Sequence, residues 1–121
     1  PAAVWIIAVL LFLGGALLTL WAMAANRFFS ATVRIQTERG QTVVSGGPYR
    51  FVRHPGYTGA IIYQVAVPLV LGSWVAMVPS ALAVACHILR TALEDRALRS
   101  ELEGYLDYAQ RVRYRLLPGV W

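Results

Sequence analysis

Residues 1–25, PAAVWIIAVLLFLGGALLTLWAMAA, contain no charged side chain. A helix rises about 1.5 Å per residue, so this run can cross a hydrocarbon layer of about 30 Å. A second run, Gly56 to Leu89, also lacks formal charge when His87 is counted as neutral. As one straight helix it would reach about 51 Å, well beyond a single span. Gly72-Ser73-Trp74 permits a tight turn, which predicts two helices over 56–71 and 75–90 folded as a hairpin. Trp74 would then lie at a membrane interface, where its amphipathic ring is favoured. Pro79 falls near the start of its arm and is tolerated there, whereas Pro68 is expected to kink or fray the end of its own.

Composition supports an apolar solvent. Of 121 residues, 58% are hydrophobic and only 14% charged, a balance unlike that of soluble domains. The first run is long for a cleaved signal peptide and shows no basic leading region, so a spanning helix is the expectation. A start at Pro1 without methionine predicts a trimmed chain, with further helices on its N-terminal side. All eleven basic residues are arginine, and the formal charge is +5. Arg27, Arg34, Arg39, Arg50 and Arg53 stand against Glu38 alone in residues 26–54, while the tail is nearly balanced. That asymmetry is a positive-inside pattern and excludes nucleic-acid binding as the reason for the charge. It places the 26–54 loop and the tail in the cytoplasm, with the N-terminus and Trp74 outside. Cys86, the single cysteine, reads as small core filling.

The tail alternates differently. Leu93, Ala97, Leu98, Leu102, Tyr105, Leu106, Ala109 and Val112 recur at helical spacing with charges between them, predicting an amphipathic helix relaxed at Gly104. The expected fold is therefore all-α: a polytopic membrane protein with about three transmembrane helices, the last two a hairpin, plus a cytoplasmic loop and a C-terminal amphipathic helix. One domain divides into 1–25, 26–54, 55–90 and 91–121.

Two places gather polar residues beside the apolar runs. In GPYRFVRHPGYTG, Pro55 suits the first position of the next helix and pushes His54 toward extended backbone. Arg50 and Arg53 taken alone read as the basic flank of a membrane helix. His54 with Tyr49 and Tyr57 points instead to a site. Arg90 and Glu94, four residues apart, share a helical face where ionisable groups near the bilayer are expensive. The hairpin brings them back to the 47–57 loop. His87, one turn before Arg90, could join them. No Walker loop, GxGxxG, HExxH or CxxC occurs, and no metal site is expected.

VVSGGPYRFVRHPGYTG, an apolar hairpin, RTALED, and then ELEGYLDYAQRVRYRLLP together resemble the isoprenylcysteine carboxyl methyltransferase family. The resemblance spans roughly residues 34–118 and extends to phospholipid methyltransferases, which are also integral-membrane enzymes using S-adenosylmethionine. It implies that His54, Pro55, Gly56, Tyr57 and Tyr49 line the cofactor pocket. It aligns Gln41, Thr42, Val43 and Val44 with a strand-like cofactor-binding segment, Gln41 standing where eukaryotic carboxyl methyltransferases carry histidine. It matches Glu94 to an acidic cofactor ligand and Arg90 to an arginine that orients the acceptor. The family's paired glutamates are Glu94-Asp95 here.

The resemblance implies S-adenosylmethionine-dependent methyl transfer to a lipophilic or lipidated acceptor, by O-methylation of a carboxylate, with S-adenosylhomocysteine as product. An amine acceptor would need a base, for which His54 or Glu94 would serve. The expected setting is a multi-pass protein of a bacterial cell membrane, its site facing the cytoplasm. The alternatives are a phospholipid N-methyltransferase, an NADPH-dependent sterol-type reductase, and a non-catalytic adaptor binding anionic head groups.

Overall fold

The computed structural model describes all 121 residues. It holds four α-helices and no strand: α1 (Ala2–Ala25), α2 (Pro55–Leu71), α3 (Met77–Glu101) and α4 (Tyr105–Arg111). Short 3₁₀ turns, Thr37–Arg39 and Gly47–Arg50, punctuate the loop between α1 and α2. α1 and α3 are long and apolar enough to cross a membrane; α2, also apolar, is shorter. Leu10, Leu17 and Leu20 on α1, and Val78, Leu82 and Leu89 on α3, are exposed. Contiguous apolar surface of this kind belongs against lipid or other protein.

Each helix end has a local cause. Asn26 ends α1, and its Oδ1 accepts the Phe28 N–H at 2.9 Å. Pro55 opens α2 as expected, in the first position where a missing N–H leaves nothing unsatisfied. Gly72 closes it with φ +60°, a left-handed conformation that glycine adopts without strain. Pro68 sits within the last turn, so the helix stops one turn after it. Trp74 is 84% exposed at the tip of the turn.

α1 and α2 pack most extensively, backbone against backbone at Gly15 and Gly59. Thr19 ties the pair, its hydroxyl donating to the carbonyls of Gly15 (3.1 Å) and Gly56 (3.3 Å). α3 is joined to α2 through Ser80, whose hydroxyl donates to the Gln64 carbonyl.

Two expectations about the tail need correction. No break separates hairpin from tail at residue 90: α3 runs unbroken from its apolar half into its charged half, to Glu101. The backbone hydrogen bonds of a helix continue whether the side chains meet lipid or water. Nor is the tail one amphipathic helix. Gly104 at φ +81° interrupts it, α4 is only seven residues long, and the chain beyond Arg111 is not helical. Val43 and Val44 of the strand-like segment have no strand to pair with. They pack instead on a core of Tyr49, Leu98, Tyr105, Tyr108, Ala109 and Ala22. Three buried tyrosines thus gather at the loop end of the molecule.

Candidate functional site

A cavity of about 260 Å³ lies where the loop meets the helices. Gln41, Thr42, Val43, Val44 and Tyr49 line it from the loop, His54, Gly56 and Tyr57 from the start of α2, and Arg90 and Glu94 from α3. Pro55 does not line it. It is fully buried beneath the cavity and acts through the backbone, starting α2.

Tyr57 is the hinge of the arrangement. Its hydroxyl donates to Glu94 Oε2 at 2.7 Å, and the Arg90 guanidinium lies 5.7 Å from its ring centre, within cation–π range. Arg90 and Glu94 therefore do not pair with each other, as their spacing suggested; both turn to Tyr57. Arg90 also donates to the Ala31 carbonyl, joining α3 to the loop. Gln41 Oε1 accepts the Gln36 N–H at 2.7 Å, so its carbonyl serves the loop and its amide nitrogen is the end left for a ligand.

Arg53, His54 and Tyr105 of the cavity wall converge on a charged cluster that the sequence reading missed. Asp95, 1% exposed, accepts from Arg53 Nε (2.8 Å) and Nη2 (3.0 Å) as a two-pronged pair. His54 Nε2 lies 3.1 Å from the same carboxylate, the Tyr105 hydroxyl donates at 2.9 Å, and Arg99 and Arg115 approach at 3.1 and 3.0 Å. Arg53 is thus no lipid-facing flank. Its side chain is buried, and its Nη1 donates to the carbonyls of Val112 and Arg113. The backbone N–H groups of Arg53 and His54 donate to Tyr114 and Arg115, and Thr58 donates to Leu116. Residues 112–116 are strapped across the head of α2 by these bonds.

Electrostatics follow burial. Burial opposes the Arg53 charge, but Asp95 outweighs it and raises the pKa above that of a free guanidinium. Burial pushes the Tyr49 phenol up to about 12, partly offset by the amide of Asn26 that donates to it at 3.1 Å. Burial, then Asp95, raises Tyr105, and burial raises Tyr108. These phenols remain protonated, as Tyr108 shows by donating to the Tyr49 carbonyl at 2.6 Å.

One signal pointed to Asp95. Thr91, Asp95 and Leu98 are spaced i, i+4 and i+7, and all three are buried on one face of α3. Glu94, one residue earlier, is rotated about 100° from it and meets the cavity.

The isoprenylcysteine carboxyl methyltransferase (ICMT) family matches residues 6–100. A probable protein-S-isoprenylcysteine O-methyltransferase of Oryza sativa subsp. indica is 30% identical over 106 residues, 86% of this chain and 56% of the rice protein. Protein-S-isoprenylcysteine O-methyltransferase B of Arabidopsis thaliana is 29% identical over 92 residues, 74% of this chain and 47% of that protein. The chain spans about half the length of these relatives. With the match running from α1 through the Arg90–Glu94 segment to the end of α3, the chain belongs to the isoprenylcysteine carboxyl methyltransferase family.

Proposed function

We propose that this protein is an integral-membrane, S-adenosylmethionine-dependent methyltransferase that methylates the carboxylate of a lipophilic acceptor. One observation carries the reading: Glu94, Tyr57 and Arg90 meet in a single cavity walled by both the polar loop and the apolar helices. A sulfonium amino-acid nucleoside needs a carboxylate for its ammonium or ribose hydroxyls, aromatic faces for its cation, and N–H groups for its own carboxylate. Glu94 supplies the first, Tyr49 and Tyr57 the second, and the N-terminus of α2 at Gly56 and Tyr57 the third. Gln41, Thr42, Val43, Val44 and His54 complete that wall, with Pro55 fixing it from below. The donor set fits.

When bound, S-adenosylmethionine supplies an electrophilic methyl group. The chain's part is to align the acceptor and exclude water. Arg90 orients the acceptor carboxylate with the N–H groups not engaged by Ala31. A carboxylate is already nucleophilic, so no side chain need remove a proton from it. His54 is held by Asp95 through Nε2 and stays a wall of the cofactor side.

In this reading α1, the shorter α2 and α3 all cross the membrane of a bacterial cell. The loop and tail lie on the cytoplasmic face, and the acceptor, free or attached to protein, enters from lipid. The named relatives act on isoprenylcysteine, which combines an apolar chain with a carboxylate.

The test is ligand-dependent thermal stability in detergent. A ligand at about a hundred times its Kd contributes about 2.7 kcal/mol by mass action. S-adenosylmethionine and S-adenosylhomocysteine are expected to raise the midpoint by several degrees, and NADPH to leave it unchanged. Glu94→Gln keeps the shape but loses the charge and should abolish most of the rise. A response to NADPH alone would replace the reading with a reductase. No response to any nucleotide by folded protein would leave the lipid-binding adaptor.

A further inference from the structure

His87 has no part in the contacts assigned above. It lies one turn before Arg90 on α3, so the two share a helical face. It lines the same cavity, together with Thr19 of α1 and Ala60 and Tyr63 of α2. Its ring centre is 5.9 Å from that of Tyr57, and His54 lies 6.1 Å from the same ring. Both histidines thus lie close to the Tyr57 ring. His54 faces Asp95 at the loop end, and His87 belongs to the part of the cavity walled by helices.

His87 also carries the protein's single buried side-chain nitrogen or oxygen without a hydrogen-bond partner, Nδ1. A neutral imidazole has one N–H and one lone pair. An enclosed lone pair is better tolerated than an enclosed N–H, as orphaned buried N–H groups are the rarer kind. The proton then belongs on Nε2, which is not sealed off and is free to donate.

We infer that His87 is a specificity-determining residue for the acceptor. Its Nε2–H binds one acid oxygen of a lipophilic carboxylate while Arg90 binds the other. This rests on the methyltransferase reading, which assigns the loop side of Tyr57 to the cofactor and leaves the helix-walled side for the acceptor. Two donors one turn apart, above apolar walls, select a head that accepts two hydrogen bonds. A primary amide offers one oxygen and an N–H₂ group, which neither donor can use.

The probe is an N-acetylated, S-prenylated cysteine with a free carboxylate, compared with its carboxamide. Binding to the detergent-purified protein and steady-state kcat and KM for methyl transfer are measured for wild type, His87→Leu and His87→Gln. Losing one hydrogen bond to a charged group predicts that His87→Leu raises KM for the carboxylate about ten- to a hundredfold. The change in kcat should be smaller, and the thermal response to S-adenosylhomocysteine unchanged, which also shows the variant folded. His87→Gln keeps an N–H near Nε2 and should recover most of the affinity. The carboxamide should bind weakly and equally to wild type and His87→Leu.

An unchanged carboxylate KM in His87→Leu overturns the inference, as does wild-type binding of the carboxamide as tight as that of the carboxylate. If S-adenosylhomocysteine itself fails to stabilise wild type, the methyltransferase reading falls. Direct binding of the carboxylate to wild type and His87→Leu still decides the role of His87 in that case.

Discussion

Replacing Asp95 with alanine is expected to cost the fold about 3–5 kcal/mol, as when one partner is removed from a buried ion pair. The magnitude comes from what is left behind. Arg53 is 3% exposed and has no other carboxylate in reach, so its charge would stay buried without compensation. The Tyr105 hydroxyl and His54 would lose the acceptor they share. Arg99 and Arg115 pair with the same carboxylate but are 42% and 30% exposed in their side chains, so water can solvate them instead. Arg99→Ala is accordingly expected to change stability by less than about 1 kcal/mol. Both variants lose the Arg99–Asp95 pair but only Asp95→Ala leaves a buried charge behind, so the contrast separates burial from mere pairing. Unfolding in denaturing detergent, followed by intrinsic tryptophan fluorescence, measures both. A second readout is local. Because Arg53 also holds the carbonyls of Val112 and Arg113, Asp95→Ala should make the chain beyond Arg111 sensitive to protease before the helices unfold. Equal losses for the two variants would refute the account.

The same residue shows where sequence reasoning stopped. α1 was legible because an uncharged run of that length has few other uses, and the turn at Gly72 because only the turn divides an overlong apolar stretch. Pro55 marked the start of α2 for a stereochemical reason that needs no tertiary knowledge. Asp95 was different. Beside Glu94 and among arginines it reads as surface charge, and its strongest partners are 41 and 42 residues away. The apolar periodicity of the tail held at Leu98, Tyr105 and Ala109, which are buried, but misled at Leu93 and Leu106, which are half exposed while Thr91 and Asp95 are buried. A helix that leaves the bilayer exchanges one solvent for another, so apolar residues alone no longer mark its inner face. The meeting of Tyr57 with Glu94 was legible, because a hairpin must return the chain to the side it left. The approach of His87 to the same ring was not, because it depends on side-chain direction.

Small residues carry the other large effect. A β-carbon at Gly59 would lie 2.5 Å from the Gly15 carbonyl oxygen, 2.5 Å from Thr19 Oγ1 and 2.7 Å from the Thr19 nitrogen. Two of these three atoms are backbone of α1, which cannot rotate aside, so α1 must move as a body. Gly59→Val is therefore expected to destabilise by about 3 kcal/mol, at the upper end of overpacking costs. Gly14 provides the control. It stands beside Gly15 in α1, but a β-carbon there meets nothing within 4 Å. Gly14→Ala should be neutral or stabilising by up to about 1 kcal/mol, through helix propensity alone. The site feels the difference, because Thr19 both donates to the Gly56 carbonyl and lines the cavity. Gly59→Val should thus weaken S-adenosylhomocysteine binding as well as the fold, whereas Gly14→Ala should alter neither adversely. Gly15→Ala meets the Gly59 carbonyl at 2.6 Å and forces the same separation from the other side. Once either substitution has moved α1 away, the second has less to displace. The Gly15→Ala, Gly59→Ala double variant should therefore lose clearly less than the sum of its singles in the same unfolding measurement. Strict additivity would mean that each glycine is needed for its own conformation and not for the approach of the two helices.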